Sequence, residues 1–399
     1  MTYSRCLACE LDHVDRILDL GFQPPSNRYV SVGIDDVDRH RLMLGQCAAC
    51  GQVQLIDAMA ASMVRPRYAW LTYVEPEKHL DLVAARIAGL PNVHVGSKVV
   101  GLTYKDGTLL HRLNRLGFVA TETIDAARDL LIADSGAGLE SVQAAMSPAA
   151  SERIVGRLGA ADVVIVRHVL EHARDPKAFM SALGAIVAAD GYVVIEVPDC
   201  TKFISARDFV FIWEEHITYF DVETLAQFAA RADFDVVAID RHSFALEDSL
   251  VAVLQKRSGA HAGRRDSPSC RTESAKCFGA DFDATYCSVR EGIDQIRHHG
   301  KRVGMLGAGH HGARFINVFD LGDRIDCVID DSPRKQGLLM PGSHVPIVGS
   351  SGLESIDWCL LSLSPESEAA VVSRNAAFID RGGTFASIFR MSPISFLAT

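Results

Sequence analysis

Two pairs of cysteines stand at a spacing that can grip a metal. Cys6-Leu7-Ala8-Cys9 and Cys47-Ala48-Ala49-Cys50 each place two thiols on one tight turn, with 37 residues between the pairs. Zn2+ takes four soft ligands at tetrahedral corners, and four thiolates close the site, so its role would be structural. Four unrelated buried thiols and a thioredoxin-like redox pair are the alternatives; the strand–helix context of a redox motif surrounds neither knuckle. Cys200, Cys270, Cys277, Cys287, Cys327 and Cys359 lack comparable spacing and read as core or linker residues. A second group is Glu215-His216, flanked by Phe211, Trp213, Tyr219 and Phe220. Imidazole titrates near neutrality, as a general base should, and the aromatics favour a walled site over a solvated helix start. The third is Gly307-x-Gly309-x-x-Gly312, which follows a strand pattern, opens a helix and precedes Asp330-Asp331. That order suits a dinucleotide, whose pyrophosphate would sit on the helix N-terminus, although His310 and His311 crowd the approach.

The elements around these residues alternate. A helix opens at Glu75-Pro76-Glu77 with Leu80, Val83, Ala84 and Ile87 on one face. Then come a strand over 98–102, a loop over 103–107, a helix through Leu109, Leu110, Leu113 and Leu116, and a strand over 118–123. Residues 161–166 read as a buried strand, 176–188 as a helix and 192–197 as a strand after an Asp190-Gly191 turn. Strands rich in Val and Ile between helices predict a doubly wound, mainly parallel sheet, closed by an antiparallel pair at 234–239 and 249–255. A helix over 281–299 and strands over 301–306 and 325–329 predict a second α/β unit. The division is a zinc-binding domain (1–70), a central α/β domain (71–256), a polar linker (257–280) and a C-terminal Rossmann-like domain (281–399).

Composition sets the bounds. With 399 residues, 48% of them hydrophobic, the chain has room for two or three packed domains and is not a disordered protein. Fifty acidic against forty basic residues give a net charge of −10, which argues against nucleic acid as partner. No apolar run reaches the roughly 18 residues of a membrane span, and the N-terminus lacks a signal-peptide pattern, so a cytoplasmic protein without a membrane partner is expected. Monomer and homodimer are both compatible with this composition.

The motifs, taken in order, resemble the zinc-domain C-methyltransferases that act on nucleotide-linked ketodeoxysugars in bacterial natural-product pathways. The likeness spans nearly the whole chain. It is carried by the two knuckles, Leu18-Asp19-Leu20-Gly21 with Gln23-Pro24, Arg167-His168-Val169-Leu170-Glu171-His172, Glu196-Val197-Pro198, Glu215-His216-Ile217-Thr218-Tyr219-Phe220 and, near the end, Asp330-Asp331-Ser332-Pro333 with Lys335-Gln336-Gly337 and Pro341-Gly342. The resemblance implies a class I, Rossmann-like methyltransferase domain at the centre and S-adenosylmethionine (SAM) as cofactor. The cofactor would be held by the loop of Thr103, Tyr104, Asp106 and Gly107, by Glu122 on its ribose, and by Arg167 and His168. It also implies that His216, oriented by Glu215, takes a proton from a carbon next to a carbonyl of a small-molecule acceptor. The first loop departs from the family's pattern: Gly101 and Thr103 replace an acid and a glycine, and Lys105 adds a cation that suits a carboxylate or phosphate. Two other functions remain open at this point, a divergent member that no longer methylates and an NAD(P)-dependent oxidoreductase using the C-terminal glycine turn.

Overall fold

The computed structural model describes residues 4–33, 38–68, 70–71, 75–133, 138–257 and 272–397. Near its start, β1 (Val14–Gln23) pairs antiparallel with β2 (His40–Cys47), which pairs with β3 (Val53–Ile56). Inward Leu18, Leu20, Leu42, Leu44 and Leu55 form one apolar face of this small sheet.

The central domain starts at α1 (Leu80–Ala88), whose Leu80, Val83, Ala84 and Ile87 are buried as their spacing predicts. It continues through β4 (Lys98–Gly101), α2 (Gly107–Arg115), β5 (Ala120–Thr123), β6 (Ala161–Arg167), α3 (Pro176–Ile186) and β7 (Val187–Asp199). Helix α3 is started by Asp175, which accepts the Ala178 N–H, and by Pro176 at its first position. Next come β8 (Thr218–Tyr219), α4 (Val222–Arg231), β9 (Phe234–His242) and β10 (Asp248–Lys256). The sheet order is β9-β10-β7-β6-β4-β5, parallel from β7 to β5 and antiparallel at the β9–β10 end. Strand β4 lies between β5 and β6, so the chain leaves it to opposite sides and a crevice opens beyond the carboxyl ends of β4 and β6. Strand β8 does not join this sheet; it pairs with β3 and becomes the fourth strand of the first sheet.

Two expectations are corrected. Asp190-Gly191 is not a turn: β7 runs through it, and Gly191 is needed because a Cβ there would stand 2.8 Å from the Asp162 carbonyl oxygen. The expected linker over 257–280 ends in α5 (Thr272–Ala280), held because Phe278 packs its ring on Phe209 and Phe203. Residues 258–271, including Cys270, lie outside the described residues. Of the other unassigned cysteines, Cys200, Cys327 and Cys359 are core residues, whereas Cys277 and Cys287 are exposed on helices.

The C-terminal domain follows α6 (Phe282–His298) with β11 (Val303–Leu306), α7 (His310–Val318), β12 (Cys327–Ile329), β13 (Ile347–Val348), β14 (Trp358–Leu361) and β15 (Thr384–Ser387). Its five strands are parallel in the order β13-β12-β11-β14-β15, so its own switch point lies at the end of β11, where α7 begins.

Candidate active site and zinc centre

The four knuckle cysteines converge. Sγ of Cys6 lies 3.6 Å from that of Cys50, and Sγ of Cys9 lies 3.6 Å from that of Cys47. A tetrahedron with Zn–S bonds of about 2.3 Å has S···S edges of about 3.8 Å, so this cage is the size of a zinc ion. All four ligands are protein thiols within 4.8 Å of one another, and three are fully buried. Zinc fits here as a structural ion.

At the β4–β6 crevice Thr103, Asp106, Gly107, Arg167 and His168 of the expected cofactor residues meet, whereas Tyr104 and Glu122 are exposed. Thr103 and Asp106 cap each other: the Asp106 carboxylate accepts the Thr103 N–H at 2.7 Å and, across the crevice floor, the Arg167 N–H at 3.0 Å. Burial raises the Asp106 pKa to about 7, against the pull of those donors. Gly107 begins α2 with nothing beyond its chain neighbours and its own helix backbone within 4 Å of where a Cβ would stand, which leaves room for a ligand to approach the amino end of that helix. Tyr104 is 66% exposed. Glu122 is exposed at the end of the edge strand β5. A network that the sequence reading did not assemble fills the crevice wall. Arg167 binds Glu196 and the Lys105 carbonyl, Lys105 pairs with Glu75 at 2.8 Å, and Glu196 also accepts from His79 and Ser249 at 2.7 Å each. His168 sits over it with φ +54, a left-handed conformation that costs a non-glycine residue of order 1–3 kcal/mol and recurs at functional sites. Burial works against its imidazolium, but the carboxylates of Glu75, Glu196 and Glu171 prevail and hold its pKa up at about 10.

Beyond the crevice lies a cavity of about 410 Å3 that all three domains wall. The first domain contributes Ser26, Asn27 and Tyr29, the central domain Glu75, His168, Glu196, Trp213 and the 244–249 loop, and the C-terminal domain Gly309, His310, His311 and Lys335. The loop of His216 is fixed at both ends. The Tyr219 hydroxyl bonds both the N–H and the carbonyl of Trp213, and the Ile217 carbonyl accepts from Leu55. Glu215 accepts from Asn27 at 3.0 Å. Trp213, not His216, lines the cavity; its indole stacks on His216 at 5.3 Å and on His310 at 3.6 Å between centroids. Burial drives both imidazoles well below their ordinary pKa, so both are neutral near pH 7. Burial likewise raises Glu247 on the 244–249 loop well above the carboxylate range.

The domains are fastened beside this cavity by Glu214. Its fully buried carboxylate accepts the Ser26 N–H and pairs with fully buried Arg314 of α7, 3.4 Å from His310 Nε2. At the C-terminal glycine turn, Asp330 accepts the Ala308 N–H and binds Lys335, both at 3.0 Å, so the acid expected near a ribose already closes the loop. The sequence reading missed Glu214, Arg314, Glu75 and His79. Only Glu214, adjacent to the Glu215-His216 pair, carried any local signal.

A class I methyltransferase-type sheet joined to a cysteine zinc cage and a second α/β domain defines the class. Family models match in the same order: a zinc binding domain over residues 6–63, a methyltransferase domain over 80–239 and a C-methyltransferase C-terminal domain over 267–389. The C-methyltransferase NovU of Streptomyces niveus is 25% identical over 323 residues, covering 77% of this chain and 75% of that protein. Among solved structures, a 1,6-didemethyltoxoflavin-N1-methyltransferase from Burkholderia thailandensis is 13% identical over 46% of this chain and 80% of that one, with a TM-score of 0.31. The magnesium protoporphyrin IX methyltransferase of Synechocystis PCC 6803 is 15% identical over 45% and 83%, also with a TM-score of 0.31. Together these matches make the chain a SAM-dependent C-methyltransferase with an N-terminal zinc-binding domain. Among the described residues, no helix is long and apolar enough to cross a membrane.

Proposed function

We propose that the chain methylates a carbon next to a carbonyl in a small acceptor held in the three-domain cavity, within a specialised-metabolite or deoxysugar pathway. The observation that carries this reading is a cavity bordered by the switch points of both α/β domains and backed by neutral imidazoles. Thr103, Asp106, Gly107, Arg167 and His168 surround the place for SAM, and SAM when bound supplies an electrophilic methyl group. His216 accepts the proton from the acceptor carbon, the C–H electron pair passes into the enolate, and Glu215, anchored by Asn27, orients the loop. Trp213 walls the reacting carbon from water. Lys335, which also pairs with Asp330, and the amino end of α7 put N–H donors on one side of the cavity, which favours a nucleotide diphosphate handle on the acceptor. His310 is the second candidate base, because it lines the cavity directly whereas His216 stands one ring behind.

The test uses His216→Gln and His310→Gln, with SAM binding followed by calorimetry and methyl transfer to a ketodeoxysugar nucleotide followed by mass spectrometry. His216→Gln should bind SAM normally and lose roughly 100-fold or more in turnover. Loss confined to His310→Gln would move the base, and full activity in both would refute imidazole base catalysis. If the wild type bound neither SAM nor S-adenosylhomocysteine, methyl transfer itself would be refuted.

A further inference from the structure

We propose that Glu247 is a catalytic residue of the methyl transfer, donating the hydrogen bond that holds the acceptor's carbonyl oxygen as it becomes an enolate. This role rests on the function proposed above and supplies the group that meets the developing charge. Glu247 stands one residue before β10, whose Asp248 and Ser249 pair with Asp199 and Pro198 at the carboxyl end of β7. That is the end of the parallel strands at which the crevice opens. Both residues that follow it are tied down: Asp248 accepts from Lys202 and from the Phe244 N–H, and the Ser249 hydroxyl donates to Glu196. Glu247 itself lines the cavity. Among the described residues its carboxyl has no hydrogen-bond or ion-pair partner, and its neighbours act on it only through space.

An enolate oxygen carries negative charge, and a donor already aimed at it lowers the barrier to forming it. Several donors that line the cavity are engaged elsewhere. The Asn27 amide donates to Glu215 and the Val64 carbonyl, and the Tyr29 hydroxyl to the Ala308 carbonyl. The Lys335 ammonium is held by that same carbonyl and by Asp330. Glu247 is uncommitted, and it can donate because it is neutral. Burial and the nearby carboxylates of Glu75, Glu171 and Asp199 outweigh the pull of the His168 imidazolium, so the carboxyl keeps its proton near pH 7. An ionised carboxylate would repel the enolate instead. The step balances: the C–H proton passes to His216, its electron pair moves onto the carbonyl oxygen, and Glu247 shares its own proton without losing it. When the enolate carbon bonds to the methyl group, the C–S electron pair stays on sulfur and the carbonyl re-forms.

The experiment compares full-length wild type, Glu247→Ala and Glu247→Gln with a ketodeoxysugar nucleotide as acceptor. Methyl transfer is followed with SAM, and exchange of the acceptor's C–H for deuterium in heavy water is followed with S-adenosylhomocysteine, both by mass spectrometry. Glu247→Ala should lose roughly 100-fold in kcat and in exchange while KM changes little. Glu247→Gln keeps an N–H donor and should retain more of both activities than Glu247→Ala. Zinc content and SAM affinity at the wild-type level report that the variants have folded. Wild-type kcat in Glu247→Ala, a loss confined to KM, or a Glu247→Gln variant no better than Glu247→Ala would each overturn the inference while leaving methyl transfer in place. A wild type that binds SAM yet neither exchanges nor methylates the acceptor would overturn the proposed function, and this role with it.

Discussion

Arg314→Met removes one half of an ion pair that has no access to water. Arg314 and Glu214 have no exposed side-chain surface, and Glu214 is held by the first domain through Ser26 and by the C-terminal domain through Arg314. Methionine keeps most of the volume, so packing changes little. The Ser26 N–H and Oγ and the neutral His310, 3.4 Å away, then face the carboxylate, too little to balance a full charge in a dry setting. Breaking a buried pair from one side costs about 3–5 kcal/mol. With a denaturant slope of about 3 kcal/mol/M, the urea midpoint should fall by roughly 1 M or more. Tryptophan fluorescence follows the transition, with Trp213 adjoining Glu214 in the chain and Trp70 and Trp358 reporting from elsewhere. The double variant Arg314→Met/Glu214→Gln removes the stranded charge and should recover most of the loss, giving a coupling of several kcal/mol between the two sites. A single-variant loss below about 1 kcal/mol, the value of an exposed surface pair, would refute the claim that this contact fastens the domains through a desolvated charge.

Other perturbations follow from single features. Cys6→Ser should release zinc, measured by elemental analysis, and lower the melting temperature, because structural zinc binding is linked to folding. Lys105→Met removes the ammonium that neutralises Glu75. The variant should bind SAM more tightly than the wild type, with a smaller gain for uncharged S-adenosylhomocysteine; equal gains for both would show that sulfonium charge is not the cause. His311 has its pKa lowered to about 4 by burial. Between that value and the unfolded value near 6.5, the unfolded chain binds more protons, so this residue subtracts stability as pH falls. Compared with His311→Phe, the wild type should lose up to about 2 kcal/mol between pH 7 and pH 5 in urea denaturation, at about 1.4 kcal/mol per pH unit below pH 6.5. A constant difference across that range would contradict a neutral buried imidazole.

The parts that could be read from residue order are those whose physics is local. A knuckle is two residues wide, and α1 declares its buried face within nine residues. The strands β6 and β7 are Val- and Ile-rich because helices cover them. The Asp190-Gly191 reading failed for a local reason too: the glycine serves a close strand approach, and the same dipeptide in isolation is a turn signal. Helix α5 escaped because its anchoring ring is Phe278, one aromatic that finds its partners about 70 residues earlier. The site suffers most from this. Asn27 meets Glu215 across 188 residues, and Arg314 meets Gln23 across 291. Trp213 is the instructive case. Beside His216 in the chain, it reads as the wall of a catalytic pocket. In space it also belongs to His310, whose face it covers at 3.6 Å, and that contact exists only because α7 docks against the 213–217 loop. The imidazole that the acceptor meets first is therefore decided by domain docking, and the paired His216→Gln and His310→Gln assay tests the docked arrangement as much as it tests either residue.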